Sequence, residues 1–492
     1  MKKPPFRRGV FLLIDGARAD VFERLLQAGE LPHLKRHVYD PGSYLTAVSA
    51  FPSTTGPAHL PFLTGCTPGT CNIPGIRWFD RGRSARPAPF GQCRSYVGPG
   101  SLFMDTDLRK EIRTVFEFFE RPAGVFSVVN RGVSAHRRRT VMAKWGAWLY
   151  GHYTGDWQSV DEVTWRIVDQ AVEREADFIF ALFPAVDELA HLTDPFSNAV
   201  LKAYRAIYRS FGRLVEHLAR RRLLEETLFV VSSDHGLTAT HTHFEVFDFL
   251  DHRGHKTLYY PKIWKRNASA ISMISGNAMA NVYLKNVHGW HAPQPADADL
   301  IAACLEQKAV DLAIAKNMDG FIRVHSRHGM AEIRDDGADI YYRVWGRDPF
   351  GYGPMPVRMK ADQSLALTCG ATYPDAPFQV ERLFRSCRAG DLVLSARKGY
   401  DFRRLFEHPE HHASHGSLHR EHMLVPLLLN YPVQRTPVRT VDVFPSMLEL
   451  LGRAAPENID GRSFVRDEME TEGQPHHTDT DPGMLAAARR IS

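Results

Sequence analysis

Three short, continuous apolar runs, each followed closely by acidic or imidazole side chains, mark the first half of the chain. Val10-Phe-Leu-Leu-Ile14 is closed by Asp15-Gly16, Phe178-Ile-Phe-Ala-Leu-Phe183 leads into Pro184 and Asp187, and Thr227-Leu-Phe-Val-Val-Ser232 leads into Asp234-His235-Gly236. A run that is apolar on nearly every residue buries both faces of a strand, as parallel strands inside a sheet require. Asp161 to Glu175 and Asn198 to Glu226 instead repeat apolar residues at three- and four-residue spacing among Arg and Glu, the pattern of amphipathic helix. Strands alternating with helices predict an α/β fold: a largely parallel sheet with helices on both faces. The polar residues at the strands' carboxyl ends mark where such a sheet places its site.

From about Asn286 to Arg385 the pattern changes, with Pro- and Gly-rich pieces such as Trp345 to Pro354 interrupting short helical stretches like Ala296 to Gln307. Strand-like signals return at Asp391 to Ser395 and Val425 to Leu429, and Thr440 to Leu451 reads as helix. The expected organisation is a core over 1–285 and 386–470, an inserted cap over 286–385, and a polar, disordered tail over 471–492.

Composition narrows the class. The chain has 492 residues, 44% hydrophobic and 24% charged, which excludes fibrous and disordered proteins. Basic residues exceed acidic ones by only five, spread along the chain, so neither a nucleic-acid polymer nor a membrane surface is an expected partner. Six cysteines without a CxxC pair or framework spacing fit a reducing compartment. The Gly9 to Ile14 run is shorter than the ~7 to 15 apolar residues of a signal peptide core. No stretch approaches the ~18 to 20 residues of a transmembrane segment, and the chain reads as soluble and cytoplasmic. The count that stands out is 24 histidines.

Four segments place metal-competent side chains at or near the end of an apolar run or in a Gly-containing turn. They are Asp15, Asp187 with His191 one helical turn on, Asp234-His235, and His415 within Ser414-His-Gly-Ser417. Each has a bland alternative as a helix cap, a solvated pair or a tight turn. Their conjunction points to chemistry, because mixed Asp and His ligands are what hydrolytic zinc sites use and two such sites need about six. Between the first and second segments lies Phe51-Pro-Ser-Thr-Thr-Gly-Pro-Ala-His-Leu-Pro-Phe-Leu-Thr-Gly65, a Ser/Thr cap with Pro57 in the first helical turn. A Thr hydroxyl there sits in a positive field, and a metal ion beside it would make it a nucleophile.

In this order the motifs resemble the nucleotide pyrophosphatase/phosphodiesterase (type I phosphodiesterase) branch of the alkaline phosphatase superfamily. The resemblance spans roughly residues 9 to 465, including Arg439 to Gly452 and Asp460-Gly-Arg-Ser463 near the end. It implies an alkaline phosphatase-like α/β/α sandwich with a largely parallel central sheet and an inserted cap. It implies Thr55 as nucleophile, or Thr54 if the register shifts by one. It also implies two divalent ions, one held by Asp187, His191 and His415 and the other by Asp15, Asp234 and His235. These ligands suit zinc, with manganese or iron tolerated. The implied activity is hydrolysis of a small-molecule phosphoester, as a phosphodiesterase or nucleotide pyrophosphatase, through a covalent phospho-threonine. A phosphomonoesterase, or an inactive metal-binding scaffold recognising a ligand through its cap, are the alternatives.

The chain departs from that pattern where the branch usually has Asn beside the motif's His and this chain has Ala58. The missing donor to a phosphoryl oxygen is of the kind worth about 3 to 4 kcal/mol in oxyanion holes. Asn130 and Arg131, at the end of the strand-like Gly124 to Val129, are the candidate substrate-binding substitutes, since an Arg fork grips two oxygens at once. The branch's His-Gly is replaced by Cys71-Asn72. His241 and His243 read as part of a mobile polar loop, Arg137 to Arg139 as a solvated run, and Trp78 and Phe79 as core. His408, His411, His412, His419 and His422 crowd around His415 and are expected at the surface or behind the ligands.

Overall fold

The computed structural model describes residues 4–84, 92–134, 140–263, 267–407, 409–433 and 435–465, so Arg137 to Arg139, His408 and the 471–492 tail lie outside it. A seven-stranded sheet forms the centre, in the order Val438–Arg439, Ser43–Val48, Leu424–Leu429, Thr227–Ser232, Arg8–Ile14, Phe178–Phe183, Pro122–Val125. The last four are mutually parallel, whereas Leu424–Leu429 runs against both of its neighbours. The three apolar runs are its buried middle: every residue of Phe178–Phe183 and Thr227–Ser232 is buried, and all but the first of Arg8–Ile14.

Helices Trp157–Glu173 and Asn198–Arg220 pack into the same core through Val160, Val168, Tyr204, Ile207, Phe211 and Leu214. Their starts are capped: the Asp156 carboxylate accepts from the Ser159 amide at 3.1 Å and the Ser197 hydroxyl from the Val200 amide at 3.3 Å. The second helix stops at Arg220 instead of running to Glu226, because Arg222 adopts φ 58° and a left-handed residue cannot continue a right-handed helix. Likewise Pro122–Val125 ends before Phe126, at φ 58°.

A second, nine-stranded sheet lies beside the first. Besides the strands between Val310 and Met359, it recruits Thr257–Tyr259, Ala270–Ser275, Met279–Leu284 and Leu392–Ala396 from both flanks of the 286–385 stretch. Leu392–Ala396 pairs antiparallel with Met279–Leu284 and Val310–Lys316. An apolar run signals a buried strand and says nothing of which sheet receives it.

The two sheets are locked by a buried ion pair. Arg439 donates to Asp375 through Nε at 2.6 Å and Nη2 at 2.8 Å. Gln379, on the helix that follows Asp375, accepts from the Phe51 amide at 3.0 Å. The second sheet's helix therefore holds the segment that leads to Thr55.

Candidate active site

Because Thr227–Ser232, Arg8–Ile14 and Phe178–Phe183 are adjacent and parallel, with Leu13 opposite Ser232 and Ile14 opposite Phe183, their carboxyl ends meet at one edge. That edge receives Asp15, then Asp187 and His191 on helix Ala185–Leu192, and Asp234 with His235. The chain must turn tightly there: Gly16 has φ +69°, and a Cβ on it would sit 2.7 Å from Asp187 Oδ1.

His415 arrives from another direction. Ala413–Ser414 pairs with Thr238–Ala239, and Gly276 accepts from the His415 amide at 2.9 Å. The Thr238 to His243 segment is thus ordered by pairing; its second half, Thr242–His243, pairs with Tyr400–Asp401. Thr55 is carried by the loop after Ser43–Val48, where the Ser49 hydroxyl donates to the Asp234 carbonyl and the Ser53 hydroxyl to the Ser417 carbonyl.

All six sequence-predicted ligands converge with Thr55. The Thr55 hydroxyl donates to Asp15 Oδ1 at 3.2 Å and lies 3.0 Å from His235 Nε2. Ligand-competent atoms of Asp15, Asp234 and His235 come within 4.8 Å of one another, and so do those of Asp187, His235 and His415. His191 Nε2 is 3.4 Å from Asp187 Oδ2. His235 therefore stands between the two groups.

The imidazoles are oriented from behind: His191 Nδ1 lies 2.7 Å from the Ala413 carbonyl and His415 Nδ1 3.0 Å from that of Ser53. Both donate there and turn Nε2 toward the site, where neutral His415 presents a free lone pair and His191 Nε2 faces the Asp187 carboxylate. His59, in the nucleophile segment, lies with Nε2 2.9 Å from Asp234 Oδ2. Burial drives Asp15 well above the usual carboxylate range, and the charges of Asp234 and Asp187 add to that. Burial would also raise Asp187 and Asp234, but neighbouring His191 and His235, respectively, hold them low. Burial would lower His191, yet Asp187 lifts it to about 9. Burial, then His235, keeps His415 far below its ordinary value and so neutral.

Three buried carboxylates face one another here, and among the described residues their ion-pair partners are all histidines. Asp187 Oδ1 is buried without a hydrogen-bond partner. Carboxylate oxygens and imidazole nitrogens gathered around an oxygen left without a partner fit divalent cations.

The group opens into a cavity of about 490 Å³ whose lining includes Asp15, Thr54, Thr55, Asp187, His191 and His415. Asn130 and Arg131 do not line it. The Asn130 amide donates to the Ser127 carbonyl, and the Arg131 guanidinium is spent on the carbonyls of Asp105, Leu108, Arg109 and Ile112. A strand-end position in the sequence could not distinguish a substrate contact from this backbone clamp. Trp78 and Phe79 are buried in the core, and His243 is held by Asp401 and Glu410.

The lining also contains residues that sequence reasoning missed or set aside: Arg77, Lys144, Asn277, Arg403, Glu407 and His411, the last stacked on His191 at 4.3 Å. No motif singles them out, except that Arg77 precedes Trp78 and His411 belongs to the histidine-rich stretch before His415.

A hydrolytic α/β fold with an Asp/His cluster at the strand ends defines the class: a phosphoester hydrolase. The type I phosphodiesterase / nucleotide pyrophosphatase family model matches residues 10–418, and the chain belongs to that family. No curated protein sequence matches it.

Among solved structures it is similar to phosphonoacetate hydrolase from Sinorhizobium meliloti 1021 in complex with phosphonoacetate, at 17% identity and TM-score 0.57, covering 92% of this chain and 96% of that one. Murine ectonucleotide pyrophosphatase/phosphodiesterase 5 is 13% identical with TM-score 0.55, covering 92% and 97%. The human protein of that name is 14% identical with TM-score 0.57, covering 92% and 96%. At such identities the likeness establishes the fold: an α/β architecture of the alkaline phosphatase kind, with a largely parallel central sheet and an additional sheet. Among the described residues no helix is long and apolar enough to cross a membrane.

Proposed function

We propose that the chain is a two-metal phosphohydrolase, a phosphodiesterase or nucleotide pyrophosphatase, working through a covalent phospho-threonine at Thr55. The observation that carries this is the Thr55 hydroxyl, held by Asp15 Oδ1 and His235 Nε2 on the wall of the cavity. Asp187, His191 and His415 would hold one divalent ion, and Asp15, Asp234 and His235 the other, zinc by ligand type. Bound there, the ions supply positive charge that acidifies a hydroxyl and neutralises phosphoryl oxygens. Thr55 attacks phosphorus in line, the phosphorus–leaving-oxygen bond breaks, and water later releases the phosphoryl group from Thr55.

Ala58 is fully buried and offers no donor. That role falls to Lys144, which lines the cavity and is attracted by Asp15, while burial brings its amine down to about 8. The substrate is a small phosphoester, and nucleotides, named for the similar structures, are the first to try; phosphonoacetate, whose phosphorus is bonded to carbon, tests whether a phosphonate is also accepted. Free thiols at all six cysteines support a cytoplasmic setting.

The test loads purified protein with zinc, counts metal, and compares bis-(4-nitrophenyl) phosphate with 4-nitrophenyl phosphate. About two ions per chain and faster diester cleavage are expected. Faster monoester cleavage would move the assignment to a phosphomonoesterase. Cleavage of neither ester would leave the inactive scaffold.

A further inference from the structure

The cavity has two cationic poles. Lys144 couples electrostatically to Asp15. Arg77 feels the charges of Arg403 and Glu407, Arg403 feels those of Glu407, Glu245 and Asp401, and with Tyr260 the two arginines line both this cavity and a small one beside it. Both residues are buried, at 8% and 9% exposure.

Among the described residues neither forms an ion pair with a carboxylate. Arg77 Nη1 donates to the Ile274 carbonyl at 3.2 Å, and its buried Nε has no partner. Arg403 donates to the Leu405 and Phe406 carbonyls at 3.1 and 3.4 Å. Glu407, the carboxyl whose charge reaches both, accepts at Oε1 from the Asn277 amide, and burial raises it to about 7. Two like charges removed from water and left unpaired are costly to a fold, and buried Arg is ordinarily paired.

Their position links them to the metal-competent cluster. Ile274 and Asn277 flank Gly276, whose carbonyl accepts from the His415 amide. The Asn277 carbonyl accepts from the Phe402 amide at 2.7 Å, one residue before Arg403. The Arg77 guanidinium also lies over the Tyr260 ring, 5.7 Å from its centroid, which steadies its plane.

We propose that Arg77 and Arg403 form a second-anion subsite, so that the natural substrate carries, beyond the phosphoryl group reacting at Thr55, a further carboxylate or phosphate. This rests on the phosphoryl-transfer function proposed above. Guanidinium forks bind either oxyanion through charge-assisted hydrogen bonds, and an anion placed there supplies the charge the pair lacks.

Calorimetric titration of zinc-loaded protein with methyl phosphate, phosphoglycolate and 1,3-propanediol bisphosphate tests it. Wild type is expected to bind at least one of the two ligands that carry two anionic groups about tenfold or more tighter than methyl phosphate, which carries one. Which one wins distinguishes a carboxylate from a phosphate subsite. In Arg77→Gln and Arg403→Gln that advantage should shrink to about twofold or less, with melting temperatures unchanged or raised because an unpaired buried cation has been removed.

Equal affinity for one and two anions in wild type overturns the subsite. So does undiminished discrimination in folded variants. A fall in melting temperature with discrimination intact identifies the arginines as structural and overturns it too. Failure of all three ligands to bind sinks the phosphoryl function itself, and the subsite with it.

Discussion

The rings of His235 and His415 stack with centroids 3.7 Å apart and planes 9° from parallel, and Asp187 lies within reach of both. Two ligand groups brought by unrelated segments thus share one buried volume containing three carboxylates. Stripping divalent ions with a chelator is therefore expected to lower the melting temperature, and zinc to restore it. Saturation at about 1,000 times Kd corresponds to about 4 kcal/mol. Differential scanning calorimetry with and without chelator checks this, and identical transitions would argue against ion binding.

Thr55→Ala should reduce turnover about 10³-fold or more while metal per chain stays constant. Parallel metal analysis and chromogenic assay decide it. Unchanged turnover would transfer the role to water or to Thr54, whose buried hydroxyl has no partner.

Gly276 has φ +60°, and an added Cβ would lie 2.6 Å from His415 Nδ1 and 2.7 Å from the His415 carbonyl oxygen. Gly276→Ala is expected to turn the His415 ring away from the Ser53 carbonyl, with about a tenfold or greater loss of kcat/KM and fewer ions bound. Retention of both values would mean the loop can relax.

Asp375→Asn keeps the shape of a residue at φ 58° but removes the charge paired with buried Arg439. A loss of about 3 kcal/mol is expected, because the buried guanidinium loses its two-pronged partner and keeps only the more exposed Asp362, 3.5 Å away, as an ion-pair partner. Urea unfolding of the variant against wild type measures it, and a loss below about 1 kcal/mol would show the pair is dispensable to the junction.

His243 is 2.8 Å from Asp401 and 3.0 Å from Glu410, and the Asp401 hydrogen bond raises its imidazole to about 9. A pKa above the unfolded value of ~6.5 stabilises the fold fully below that pH and progressively less as pH rises through about 9. His243→Gln should therefore cost about 1 kcal/mol near pH 6 and much less near pH 9.5. Urea midpoints at the two pH values test the sign; an equal loss at both would exclude the imidazolium charge as the cause.

Continuous apolar runs ending in Asp15, Asp187 and Asp234 determined, from sequence alone, that parallel strands would deliver carboxylates to one edge. Period-2 and period-3.6 patterning is local, and so is a strand-end turn. The order of the motifs singled out six candidate ligands and Thr55 as candidate nucleophile, and the fold brings these side chains together.

Tertiary structure decided what local patterning does not encode. Leu392–Ala396 is as apolar as a core strand yet pairs in the second sheet, because strand partners are chosen by packing across more than seventy residues of chain. Arg131 looked like an anion binder and is a clamp on backbone carbonyls. Arg77 and Arg403 carry no motif and lie far apart in the chain, and only folding buries both residues in one cavity wall beside the Thr55 cluster.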